Sequence, residues 1–456
     1  MQQKSRPFFA LSPERWFLII ALVFGALFAF ITPPFRVPDE YGHMARAYGI
    51  SEGHFLATKQ DDKSGSEVPL SISIIGMKTA DFSLSDIPNL ATIPLAPNIV
   101  TFAEHPNMAL YSPVVYAPQA VGFAVARALN VPAIISLYVA RLFNVIAYSL
   151  LVYVAIRLLP IGKWVGAIVG LLPMHIMLAG SLSADPVTIG LIAVLVAAVL
   201  WLRSLSRAVQ PIEYAWLLIL TAAIALGKLP YPLLLLLFLF VPVRVFGGTR
   251  ARWWLHMGGL AVAGLIAGGG WLLLAKATLV AYGPAGVNLA DQLHLVLTHP
   301  LGFAKAAFMT FFTPTSDGFM SQIVLAIGYL ETQLPLWLTY LYGIFLAFAV
   351  FPLRVEGNMP LSRLQKILTA ALVAAVVGSM VLLLYLSWTP VGKPIVEGMQ
   401  ARYLTPFLFL LIPLLAMRSS KANANAGTLS TTWYQYVPVL FLTAGLAMSA
   451  YFFYHA

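Results

Sequence analysis

The sequence has no cysteine and little charge. Without cysteine there is no disulfide, no thiolate nucleophile and no zinc–sulfur site. Only 10% of the residues are charged, against roughly 25% in a soluble domain. Also missing are a Walker loop, a dinucleotide fingerprint, a Gly-x-Ser-x-Gly elbow and a His-Glu-x-x-His pair. Internal repeats and low-complexity tracts are absent as well. What is abundant is apolar surface: 60% of 456 residues are hydrophobic and the mean hydropathy is +0.85. A chain this long and this apolar must hide its surface in lipid.

The net charge of +10 does not point to nucleic acid. The basic residues form no continuous stripe. They sit in small clusters between apolar stretches, as cytoplasmic loops do under the positive-inside rule. The apolar runs predict about eleven spans, at 16–32, 133–157, 164–181, 187–202, 214–227, 231–246, 254–275, 335–353, 367–388, 402–417 and 432–452. The first follows Lys4, Arg6 and Arg15, lacks a small-x-small cleavage site and ends in Thr32-Pro33-Pro34. It reads as an uncleaved helix with its N-terminus inside. The inner connections then carry Arg157/Lys163, Arg203/Arg207, Arg244/Arg250/Arg252, Arg354/Arg363/Lys366 and Arg418/Lys421, with only Glu213 and Glu356 acidic among them. The C-terminus, Tyr451–Ala456, falls outside. Tyr111–Leu129 would invert this parity if it crossed. With Pro113, Pro118 and the nearby Pro132 it is a poor long helix and reads as lying on or dipping into the outer face. The fold class expected is an all-α polytopic membrane protein.

Room for aqueous chemistry exists on the outer side. The first outer loop, 33–131, holds nine of the seventeen acidic residues. A second covers about 276–334 and a third 387–401; Ala422–Thr432 is a polar inner linker. No inner loop is large enough for a nucleotide, which disfavours an ATP-driven pump or a nucleotide-sugar enzyme.

The sharpest pattern is Pro33-Pro34-Phe35-Arg36-Val37-Pro38-Asp39-Glu40-Tyr41-Gly42-His43, directly after the first span. Pro38 suits a first helical position, which puts Asp39 and Glu40 in the first turn and His43 one turn later. Carboxylates at a membrane boundary shift upward in pKa and can serve as general bases; equally, first-turn acids are ordinary helix caps. The second pattern is Gly398-Met399-Gln400-Ala401-Arg402-Tyr403, where an arginine at headgroup depth suits phosphate or snorkels. Lys228, in Gly227-Lys228-Leu229-Pro230-Tyr231, is another candidate phosphate partner. Asp185-Pro186 reads at least as well as a cap. Arg141 lies inside a span, where an ionisable residue is functional by default, yet near enough to the end to snorkel. Gly264-x-x-x-Gly268 is a helix-packing pattern. His43, His54 and His105 could meet a metal with the acidic pair, but their spacing matches no compact ligand motif. No metal ligands are assigned, and a divalent cation is left open as cofactor.

The Val37–His43 motif, with Arg46-Ala47-Tyr48 and Ser51-Glu52-Gly53, resembles the bacterial membrane proteins of domain-of-unknown-function family 2142. The resemblance extends through Tyr111–Gln119, Arg141-Leu142-Phe143-Asn144, Lys228–Pro232 and Gln400–Pro406. It covers most of the chain and is weakest at 276–380. A common form of the last motif has glycine at Ala401. That family in turn resembles the GT-C superfamily of glycosyltransferases. The likeness implies an inner-membrane enzyme with a large first outer loop, transferring a sugar from a polyprenyl-phosphate-type donor to an envelope glycan or glycolipid. Asp39 would be the general base with Glu40 beside it. Substrate contacts would come from Arg36, His43, His105, Arg141, Lys228, Gln400, Arg402 and Tyr403. Membrane lipids are the surroundings. The rival readings are a flippase for lipid-linked glycans, a non-catalytic assembly protein and a polysaccharide ligase or polymerase. Transporters often show repeats and midplane broken helices; here the ionisable residues cluster at one face.

Overall fold

The computed structural model describes residues 11–77, 82–280, 282–313, 326–327, 332–333, 336–350, 354–355, 360–418 and 431–455. Lys4, Arg6, Asp81, Glu356, Lys421, Ala456, residues 422–430 of the polar linker and much of the second outer loop after residue 313 lie outside the described residues.

The chain is mostly helical. Among the described residues, six helices are long and apolar enough to cross a membrane: Pro13–Ile31, Ala133–Leu158, Asp185–Ser204, Arg250–Thr278, Arg363–Ser387 and Trp433–Tyr454. A seventh candidate is a pair bent by 106°, Leu289–Thr298 and Pro300–Phe312, which the sequence reading left in an outer loop. The remaining expected spans are helical but short or broken. The 164–181 segment divides at Pro173 into Lys163–Gly170 and Pro173–Ala179. The 231–246 segment winds as the 3-10 helices Tyr231–Phe240 and Val243–Phe246. The 402–417 segment begins as two 3-10 turns before Leu411–Leu415. Proline accounts for these departures, because it removes a backbone donor and crowds the preceding turn. Hydropathy does not register that. Irregular backbone at membrane depth is tolerated where it is enclosed by protein or lines a cavity.

Asp185–Ser204 is the hub, with 94% of its apolar window buried, against 11% for the peripheral Arg250–Thr278. At 1.5 Å per residue its ends at Asp185 and Arg203 are about 27 Å apart, close to a hydrocarbon thickness. Arg203 and Arg244 gather at the C-terminal end of the hub. Arg203 donates to the Phe240 carbonyl at 2.5 Å and to that of Pro360 at 3.4 Å, and Arg244 donates to the Arg203 carbonyl at 2.9 Å. The first and last helices end on the opposite side together, where the Tyr454 hydroxyl donates to the Ile31 carbonyl at 2.9 Å.

The 33–131 segment packs on the bundle through an apolar core of Met44, Tyr48, Val68, Ile72 and Phe123 that continues into Ala133, Leu137 and Leu182. It contains a three-stranded antiparallel sheet, Thr58–Gln60, Lys63–Pro69 and Val100–Glu104, which corrects the all-α expectation. The strands are short and rich in Ser, Lys and Glu, without the alternation that marks a strand in sequence. Ala117–Ala128 has 12 residues, too few to cross. It lies along the N-terminal end of Ala133–Leu158, with Gly122 against Ala140.

Candidate active site

Between the first span and the helix Glu40–Ser51 the backbone makes two left-handed turns, at Phe35 (φ 64°) and Asp39 (φ 63°). Such a conformation costs a non-glycine residue about 1–2 kcal/mol, and it persists only where the surroundings over-determine it. Asp39 is therefore the residue before the helix, and only Glu40 lies in the first turn, which corrects the sequence reading. The turn sends two adjacent carboxylates in different directions.

Glu40 points into the protein. Its Oε1 and Oε2 accept from Nε (2.9 Å) and Nη2 (2.7 Å) of Arg141, and Oε1 also accepts the Leu182 N–H at 3.0 Å. Arg141 donates further to the carbonyls of Ala29 (2.8 Å), Thr32 (2.6 Å) and Pro33 (3.0 Å). Both side chains are fully buried. The pair fastens the end of the first span to the turn at Leu182 that leads into the hub, and neither residue lines the cavity described next.

Asp39 turns the other way. Its Oδ2 accepts from Arg402 Nη2 at 2.5 Å. Arg402 Nη1 donates to the Pro38 carbonyl and lies near Asp185 Oδ2, each at 3.4 Å. Asp185 in turn is ion-paired with Lys228 and accepts from the Ser183 hydroxyl at 3.2 Å. Lys228 stands over the rings of Tyr111 (5.1 Å) and Tyr403 (5.7 Å). Four alternating charges thus connect the first span, the hub and the two irregular helices.

Asp39, Arg402 and Lys228, with Tyr111 and Tyr403, open on a cavity of about 360 Å³. Its lining is partly polar, with Asp39, His43, Asn107, Lys228, Gln400 and Arg402, and partly apolar, with Gly268, Trp271, Leu272, Met380 and Leu384. Gln400 Oε1 and Arg402 Nε are buried and have no hydrogen-bond partner among the described residues. Gly268 does double service. A Cβ there would come within 2.8 Å of the Ala225 carbonyl, so the glycine pattern packs helices as expected, and the same residue lines the cavity. A second cavity, about 340 Å³, is lined by Val154, Trp201, Ile212 and Trp216, with Glu213 already bound to Arg207, and offers no chemistry.

Burial raises the Asp39 carboxyl, but the charges of Arg402 and Lys228 outweigh it and hold the group below its ordinary value. This reverses the expected upward shift of a boundary carboxylate. His43 is pushed to about 3 by burial and by Lys228 and Arg402, so it is neutral; its Nδ1 pairs with the Tyr116 hydroxyl at 2.7 Å.

Of the residues chosen from sequence, Asp39, His43, Lys228, Gln400, Arg402 and Tyr403 meet at this cavity. Glu40, Arg141, His105 and Arg36 do not line it. His105 packs behind the sheet, its Nε2 2.7 Å from the Ser66 hydroxyl, and Arg36 stands over Phe453. From sequence Asp185 reads at least as well as a cap as it does as a functional residue; in the structure Ala184 is the cap position, Asp185 opens the helix, and its membership of the charge chain needed the fold. Tyr111, Trp271 and Trp388 were likewise not chosen. For a divalent cation the donors do not fit: among the described residues no three His, Asp or Glu side chains gather, and Asp39 and Asp185 each already face a cation.

No curated protein and no solved structure matches the chain. One family model does, over residues 22–411, a stretch that contains the whole charge chain from Asp39 to Arg402. The chain therefore belongs to the family described as predicted membrane protein (DUF2142).

Proposed function

We propose that the protein is a GT-C-type glycosyltransferase that moves a sugar from a polyprenyl-phosphate-type donor to an envelope glycan or glycolipid at the outer face of the bacterial inner membrane. The observation that carries this reading is the composition of one cavity. A carboxylate that is 39% exposed, two buried cations and apolar side chains from two neighbouring helices meet at one cavity. A phosphate fits the cations, and a prenyl tail fits the apolar side chains. In this reading the short and broken helices complete a bundle of about eleven crossings, with the N-terminus inside.

The chemistry follows from the parts. The acceptor oxygen attacks the anomeric carbon from the face opposite the phosphate. Its proton passes to Asp39, and the carbon–oxygen bond to phosphate breaks with both electrons leaving on the phosphate. Arg402 and Lys228 hold the charge that develops. One base with direct displacement inverts the anomeric centre. The transporter reading has less support, because the charges gather at one boundary rather than at midplane.

The test is transfer by purified full-length protein supplied with prenyl-phosphate sugars and an envelope extract, followed as released prenyl phosphate by mass spectrometry. Sugar-dependent release that disappears in D39N supports the reading. Release by D39N at the wild-type rate removes it.

A further inference from the structure

Arg402 is shared by two carboxylates in unlike settings. Asp185 is 6% exposed, does not line the cavity, is hydrogen-bonded by Ser183 and is ion-paired with Lys228 as well as Arg402. Asp39 is 39% exposed, lines the cavity and holds Arg402 through one oxygen. An anion arriving through the cavity therefore competes with Asp39 for Nη2 of Arg402. It cannot reach Asp185 without crossing the cavity wall. Arg402 Nε, buried and without a partner among the described residues, is a further unused donor on the same guanidinium. Phosphate and carboxylate oxygens present the same planar pairing to that fork.

We propose that a donor phosphate oxygen replaces Asp39 on Arg402, while Asp185 is the positioning residue that keeps Arg402 and Lys228 at the cavity wall before, during and after the exchange. This rests on the reading of the site as one for a prenyl phosphate. Its consequence is an order of events. Tied to Arg402, Asp39 is a weak base. Released, it stands in the cavity without its cation and regains basicity beside the acceptor. The donor thus arms the base, and the site without donor does not deprotonate an acceptor or water.

The measurement is equilibrium binding of farnesyl phosphate to the purified full chain in detergent, with farnesol reporting the tail alone and inorganic phosphate the head alone. D39N removes the competitor and should bind farnesyl phosphate about tenfold tighter, whereas D185N should bind it about tenfold weaker, within the usual range of coupling between linked sites. Opposite signs from two carboxylates on one guanidinium do not arise from general damage. Equal or weaker binding by D39N overturns the exchange, and wild-type binding by D185N overturns the positioning role. If D185N does not fold, D185N/K228M takes its place against K228M; equal affinities there overturn the role of Asp185. Inorganic phosphate binding as tightly as farnesyl phosphate overturns the assignment to a lipid. Binding that is present but identical in all variants sinks this inference and leaves the functional reading standing. No binding of farnesyl phosphate even by the wild type sinks both.

Discussion

Asp39 and Arg402 stand 363 positions apart and share a hydrogen bond of 2.5 Å. The contact requires the end of the first span and the 3-10 turn Ala401–Tyr403 to meet at one boundary. It also separates two kinetic roles. D39N keeps the shape of the site and removes the base, so kcat for transfer should fall by about two to four powers of ten without a rise in KM for the donor. R402A removes the phosphate partner, so KM for the donor should rise as well. R402K should not restore it, since a point charge cannot bridge Asp185 and the cavity together. Steady-state kinetics with varied donor separates the cases; a D39N defect confined to KM would contradict the assignment.

Glu40 and Arg141 call for the opposite result. Breaking a buried ion pair from one side costs about 3–5 kcal/mol, because the remaining charge is left without a partner. E40Q and R141Q should lower thermal stability in detergent and the yield of monodisperse protein. The fraction that folds should retain donor binding, as neither side chain lines the cavity. A stable E40Q protein that had lost transfer altogether would return Glu40 to the chemistry.

The adjacency of Asp39 and Glu40 shows what the sequence could and could not say. Both were legible as the acidic pair at a membrane boundary, and Arg402 and Lys228 as cations at the same face. Their division of labour was not, because it depends on the left-handed turn at Asp39, which no hydropathy or charge pattern encodes. Asp185 shows the same limit: Asp-Pro at a helix start is a sound cap, and only the fold brings Lys228 and Arg402 to it. The hub and the two terminal spans were legible from apolar length. The 3-10 segments after Pro230 and Ala401 have the same hydropathy as a spanning helix, and proline geometry rather than polarity sets them apart.

The outer unit should carry a pH signature. Burial, with Arg46 nearby, lowers His105 from 6.5 to about 4. A histidine depressed in the folded state leaves the unfolded chain binding more protons below pH 6.5, so stability is present above that pH and is lost as pH falls toward 4. One such group contributes on the order of 1 kcal/mol per pH unit inside the window. H105Q removes it. Melting temperature against pH should therefore be flatter for H105Q than for wild type between pH 6.5 and 4, with the curves parallel above pH 7. Parallel curves throughout would mean that His105 titrates normally.

The side of the membrane is open to a direct test, because the chain has no cysteine and any introduced thiol is alone. Asn130 is exposed in the turn between Ala117–Ala128 and Ala133–Leu158, at the end of the bundle that holds Asp39. Ala208 is exposed beyond the Arg203 end of the hub, next to Arg207. The hub alone separates the two levels by about 27 Å, so a charged maleimide cannot reach both from one side. In intact cells, N130C should react with the impermeant reagent and A208C only after the membrane is opened. That outcome places the cavity outside, because Asn130 and Asp39 lie at the same end of the bundle. The positive-inside rule gives the same answer, because the cations around Arg203, Arg207 and Arg244 would otherwise sit on the outer side. The reverse labelling pattern would put Asp39 and Arg402 in the cytoplasm and remove the donor class proposed for them.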